Sequence, residues 1–182
     1  MRFMKVVGAA PSGELAVALF LKHRPDITLM DLQLPGISGL EAIKTIRAHD
    51  AEAKIIVLTM YEGDEDIFRS LRAGAATYML KNTLSNDLVK VVRRVHEGEH
   101  PISAEIAERL ATRTTDSVLT PRETEVLTLL AQGMRNKEIG ASLGITEETT
   151  HGHVKSIFLK LKVQDRTAAV TVGLRRGIIH LQ

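Results

Sequence analysis

The 182-residue sequence has no cysteine and no tryptophan, two tyrosines, four phenylalanines and five prolines. Without thiols there is no disulfide framework and no thiolate chemistry, and nothing points to an oxidising compartment. With aromatics at 3%, any core must be aliphatic. No apolar run reaches the roughly 18 residues of a membrane span, and the opening Met1–Gly8 lacks the apolar stretch of a secretory signal. The expected setting is therefore cytoplasmic, with no membrane partner. What is present is ordinary: 44% hydrophobic and 25% charged residues, which excludes a wholly disordered chain. The length suits two small domains, each with its own core.

A net charge of +2 conceals an asymmetry. Residues 1–116 carry 15 Lys and Arg against 16 Asp and Glu, whereas residues 117–182 carry 9 against 6. Between Thr149 and Arg176 stand six basic residues and one acid, Asp165. An excess of that kind is what an anionic partner would select, although a solvated basic face explains the charge count equally well.

The first half alternates short β-rich runs with helical spacing. Strands are predicted at Met4–Val7, Ile27–Met30, Ile55–Leu58 and Thr77–Leu80. Helices are predicted at Glu14–His23 with Leu15, Ala18 and Leu19 inward, then at Ser38–Ala48, Asp64–Ala73 and Ser85–His96. Fully apolar strands such as Ile55-Ile-Val-Leu58 suit a parallel sheet covered on both faces, so the fold class is an α/β doubly wound sheet. A short helical pattern, Ala104–Leu110, precedes the polar Thr112–Ser117, which marks a boundary. Beyond Leu119 the spacing is helical throughout. Thr120-Pro-Arg-Glu123 reads as a capping box with proline at the first helical position, and Leu143-Gly-Ile-Thr146 joins two short helices into a helix-turn-helix. The expected division is an α/β domain at 1–98, a linker with a short helix at 99–117 and an all-α four-helix domain at 118–182.

In the helix predicted at 147–162, Val154, Ile157, Phe158 and Leu161 share an inward face, which leaves His151, Gly152, Lys155 and Leu159 outside. Such a helix reads double-stranded DNA with its N-terminal residues in the major groove and flanking cations on phosphates. The candidate contacts are Thr149, His151, Gly152, Lys155, Lys160, Lys162 and Arg166. His151 and His153 do not share a helix face, so they are not read as a zinc pair. Leu119-Thr-Pro-Arg-Glu-Thr-Glu-Val-Leu127, Gly133-Met-Arg-Asn-Lys-Glu-Ile139, Thr149-Thr-His-Gly-His-Val-Lys155 and Lys160-Leu-Lys-Val-Gln-Asp-Arg-Thr167 resemble the LuxR-type DNA-binding domain. That resemblance implies a third helix that reads DNA and a last helix that carries dimer contacts. Two positions depart from it, Thr150 where valine is usual and His151 where lysine or arginine is usual.

Asp31 follows the second predicted strand, Thr59 the third and Lys81 the fourth. Parallel strands end at one edge, where ligands bind in open α/β sheets, so a carboxylate nucleophile, a hydroxyl and an ammonium group should converge there. Those are the groups needed to accept and hold a phosphoryl group. Their spacing, with Tyr78, resembles the receiver domain of two-component response regulators over Met4–Gly98. The resemblance implies Asp31 as phosphoacceptor, Thr59 and Lys81 as phosphoryl ligands, and Thr59 and Tyr78 as the switch pair. It also implies a sensor histidine kinase as partner and Mg²⁺ as cofactor. Receivers begin with a strand bearing an acidic pair, and a helix after it, neither of which is found here. Asp31 is left as the one carboxylate to hold the ion weakly, the sheet is expected to be short of its central strand, and the dimer to be altered. A receiver followed by a LuxR-type domain is the NarL/FixJ-type arrangement, a homodimeric transcription regulator. Two other readings fit the same residues: phosphorylation-independent regulation, and a shortened paralogue that pairs with an intact regulator. Gln33 stands where an aspartyl phosphatase has its second acid, so no enzyme is expected.

Overall fold

The computed structural model describes residues 4–60, 62–82, 85–111 and 118–180; the expected boundary at Thr112–Ser117 lies outside the described residues. The chain divides into two compact units, one of residues 1–61 and 67–107, the other of 62–66 and 108–182. None of its described helices is long and apolar enough to cross a membrane.

The first unit is built on a three-stranded parallel sheet in the order β1 (Thr28–Met30), β2 (Ile55–Thr59), β3 (Thr77–Leu80). Val57 sits opposite Met30 on one side and Tyr78 on the other, which fixes the register across all three strands. Side chains alternate across the sheet. Ile56, Leu58 and Met79 join Ala76 and Val95 in a cluster completed by Leu88, Val91 and Val92 of α4 (Ser85–His96). α1 (Gly13–His23) packs on α2 (Gly39–His49). Ser12 caps α1, and a full capping box of Ser38 and Glu41 opens α2. α3 (Asp64–Arg72) and α5 (Ala104–Ala111) complete the first 111 residues.

Two expectations are corrected here. Met4–Val7 is not a strand: it stands outside the sheet, and Met4, Val6 and Val7 are exposed, Val6 at 85%. An extended segment holds as a strand only when a neighbour takes up its N–H and C=O groups, and the sheet that forms has three members rather than four. The face of α1 is also turned from the one expected, because Phe20 is buried while Leu15 and Ala18 are exposed.

The second unit gathers α6 (Pro121–Ala131), α7 (Asn136–Leu143), α8 (Glu147–Leu161) and α9 (Arg166–Arg175) around one aliphatic core. Val126, Leu127, Ile139, Ile157 and Ala169 are its most deeply buried members. α7 and α8 approach closely at Gly140, where a Cβ would lie 2.8 Å from the Ile145 carbonyl oxygen and 3.2 Å from Thr150 Oγ1. The brief turn between them follows from that closeness and from the left-handed Gly144.

Candidate functional sites

The first site is the rim of the sheet. β1 ends immediately before Asp31, β2 at Thr59 and β3 immediately before Lys81. Lys81 Nζ donates to Asp31 Oδ2 at 2.6 Å, and the Lys81 backbone N–H donates to the Thr59 carbonyl at 2.9 Å. Asp31 Oδ1 accepts the Gln33 N–H at 3.3 Å. Thr59 and Tyr78 are buried, at 1% and 2% exposure, whereas the Asp31–Lys81 ion pair is partly open to solvent. An ion pair with this much solvent access adds at most about 1 kcal/mol to stability, so its interest is chemical.

The loop after Asp31 is held from two directions. The Gly39 N–H returns to the Leu32 carbonyl at 3.0 Å, and a Cβ on Gly39 would fall 1.8 Å from the Asp31 carbonyl oxygen, so only glycine fits there. From α1, the Gly13 N–H donates to the Pro35 carbonyl at 3.2 Å and Glu14 Oε1 accepts the Ile37 N–H at 2.8 Å. Backbone N–H groups at Glu14 itself and at Ile37 hold the Glu14 carboxyl below its ordinary value.

Magnesium requires several hard oxygen ligands. Asp31 already accepts from an ammonium and an amide, Glu14 is engaged with its loop, and the described residues contain no group of three His, Cys, Asp or Glu able to hold an ion. Asp31, which already accepts from an ammonium and an amide, is the carboxylate this rim offers to such an ion.

The second site is the outward face of α8. Thr146 caps the helix, accepting the Thr149 N–H at 3.1 Å, while the Thr149 and Thr146 hydroxyls meet at 2.9 Å. Thr150 is fully buried and donates its hydroxyl to the Thr146 carbonyl at 3.1 Å. His151, Gly152 and Lys155 are exposed, and nothing lies within 4 Å of the point where a Gly152 Cβ would stand. Lys162 closes the helix in a left-handed conformation, φ 55°, with its residue exposed.

Lys160 and Arg166 are placed differently from the other cations. Lys160 Nζ donates to Glu123 Oε2 at 2.6 Å, and Arg166 donates to the carbonyls of Leu130 and Met134 at the end of α6. Glu123 is the centre of this arrangement. Its carboxylate also accepts the Ser156 hydroxyl at 2.5 Å and the Thr120 N–H at 2.7 Å, with only 4% of the residue exposed. Burial pushes its carboxyl up, but the bonds from Lys160, Ser156 and Thr120 outweigh burial and bring it down to about 2.

Sequence reasoning found Glu123 as a helix cap and missed its hold on α8. The available signal was Ser156 and Lys160, one turn apart on a flank of α8 rather than at the middle of its outer face. The roles of Glu14 and Gly39 left no signal in composition or periodicity.

Comparison with known proteins gives two family matches: "Response regulator receiver domain" over residues 2–93 and "Bacterial regulatory proteins, luxR family" over residues 117–172. The transcriptional regulatory protein LiaR of Bacillus subtilis is 35% identical over 185 residues, spanning 97% of this chain and 88% of LiaR. The response regulator VraR of Staphylococcus epidermidis is 35% identical over 182 residues, spanning 97% of this chain and 87% of its own length. Among solved structures, RcsB of Salmonella enterica serovar Typhimurium, bound to promoter DNA with a phosphomimetic fluoride, aligns over 89% of this chain and 81% of RcsB. The two are 26% identical with a TM-score of 0.63. A LuxR-family response regulator of Aurantimonas is 34% identical with a TM-score of 0.53, over 56% of this chain and 73% of its own.

Proposed function

Because the chain belongs to the response regulators that couple a receiver domain to a luxR-family DNA-binding domain, we propose that it regulates transcription as a cytoplasmic homodimer. Residues 147–161 lie in the major groove, and Asp31 accepts a phosphoryl group from a sensor histidine kinase. Residues 1–98 act as the receiver, 99–117 as the linker and 118–182 as the DNA-binding domain. The observation that carries this reading is the outward face of α8, which exposed Lys155 and His151 share with the bare backbone of Gly152. At the rim, Lys81 holds the Asp31 carboxylate at a strand end, where an incoming phosphoryl group would meet a nucleophile and an ammonium together. Lys160 and Arg166 act in this proposal as internal braces, and phosphate neutralisation falls to Lys155 and Lys162.

A labelled duplex titrated with the full chain at low salt should bind, and Lys155→Ala should bind it about tenfold more weakly, as expected when a cation that neutralises phosphate is removed from each protomer. Equal affinity for both proteins would remove α8 from the interface.

One observation favours a second reading, regulation without phosphorylation: Asp31 is already paired with Lys81, and no acidic pair stands beside it among the described residues. Treatment with a small acyl phosphate, with and without Mg²⁺, followed by intact mass measurement separates the two. Under the first reading the wild-type chain gains one phosphoryl group and Asp31→Asn gains none, since an amide oxygen is not a nucleophile for phosphorus. A wild-type chain that stays unmodified, with duplex affinity equal to that of Asp31→Asn, establishes the second.

A further inference from the structure

Leu159 is 81% exposed, the most exposed large apolar side chain among the described residues of the second unit. At 3.6 residues per turn, positions seven apart fall within about 20° of each other, so Leu159 and Gly152 lie on one line along α8. That line runs opposite the buried Thr150, Val154, Ile157 and Leu161, at the centre of the outward face. Residue 152 adds no side chain to it, and the space beside it is open. Leu159 is thus the one bulky apolar group on that line, which the exposed Glu148 shares one turn before Gly152, and it is flanked by the exposed Lys155 one turn before it and Lys162 one turn after.

An apolar side chain set between free ammonium groups does not match an apolar protein pocket, which would have to bury those charges as well. It does match the major groove, whose walls are phosphate and whose floor carries one apolar group, the C5 methyl of thymine. The distance from Gly152 to Leu159 is about 10 Å along the axis, roughly three base steps, so a helix lowered onto the groove at its bare position brings Leu159 within the same half-site. We propose that Leu159 is a specificity residue that selects thymine by packing against its methyl group. This rests on the reading of α8 as a groove-binding helix.

Duplexes enriched from a randomised pool by the wild-type chain should show one position at which thymine is preferred and at which deoxyuridine, lacking only the methyl, weakens binding about fourfold. Leu159→Ala should bind the selected duplex about fourfold more weakly and be indifferent to deoxyuridine there, and Leu159→Met should restore the discrimination. Circular dichroism spectra that superimpose for the three proteins would show that the exposed substitutions leave the helices intact. Wild-type binding that tolerates deoxyuridine at every thymine, or a Leu159→Ala profile identical to wild type, would overturn the Leu159 inference while leaving DNA binding in place. Failure of the wild-type chain to enrich any duplex at low salt would overturn the groove reading, and this inference with it.

Discussion

Replacing Glu123 by alanine will lower the unfolding free energy of the C-terminal unit by about 3–5 kcal/mol, the cost of removing one partner from a buried ion pair. Three groups lose their acceptor at once: the Lys160 ammonium, the Ser156 hydroxyl and, at the start of α6, the Thr120 N–H. The loss is larger than for an ordinary capping residue, which costs about 1 kcal/mol, because here one carboxylate joins the cap of α6 to the flank of α8. Denaturant unfolding of the full chain, followed through the transition of this unit, measures it. The same carboxylate gives the unit an acid limit. Its folded value of about 2 lies below the ordinary 4.5, so its stabilisation is complete above pH 4.5 and is lost as pH falls from there through about 2. The total is about 3 kcal/mol. Glu123→Gln should flatten that part of the acid unfolding profile, and an unchanged profile would show that the charge of Glu123 contributes nothing.

The affinity for duplex DNA will fall about a hundredfold when salt is raised from about 50 to 200 mM. The size of the fall depends on how many cations meet phosphates. If Lys155 and Lys162 act and Lys160 and Arg166 remain braces, a dimer neutralises four phosphates, and the slope of log affinity against log salt is about −3.6. If all four cations of each protomer reached the backbone, the slope would be about −7 and the fall more than ten-thousandfold. A salt titration by fluorescence anisotropy therefore decides between the two assignments, and Lys162→Ala should reduce the steepness by about two while Arg166→Gln, which removes the charge and keeps an N–H donor for the Leu130 and Met134 carbonyls, leaves it unchanged.

Much of this structure was legible in the residues. Thr120 and Glu123 at capping-box spacing, Thr146 before an apolar period and Gly144 at the turn are local signals, and each reports on its immediate neighbours. The meeting of Asp31 and Lys81 is a long-range contact, yet it follows from apolar strands of one direction ending at one edge. What failed was whatever depended on a neighbour not encoded nearby. Met4–Val7 has the composition of a strand, but the sheet that would pair it is assembled from residues more than twenty positions away. Leu15 and Phe20 are both apolar, and the choice between them is made by what packs on α1. Charge was the least informative signal, because Lys160 and Lys162 are two positions apart and one is tied to Glu123 while the other is open to solvent.

That single acid between α6 and α8 also separates scaffold from text. The pitch at which α8 is presented is inherited from Thr120, Glu123, Ser156 and Lys160, none of which needs to touch a base. If His151, Gly152, Lys155 and Leu159 read DNA as proposed, they can drift without disturbing that frame, and a lineage carrying this chain can then acquire new promoter preferences by a few surface exchanges and keep its thermal tolerance while doing so.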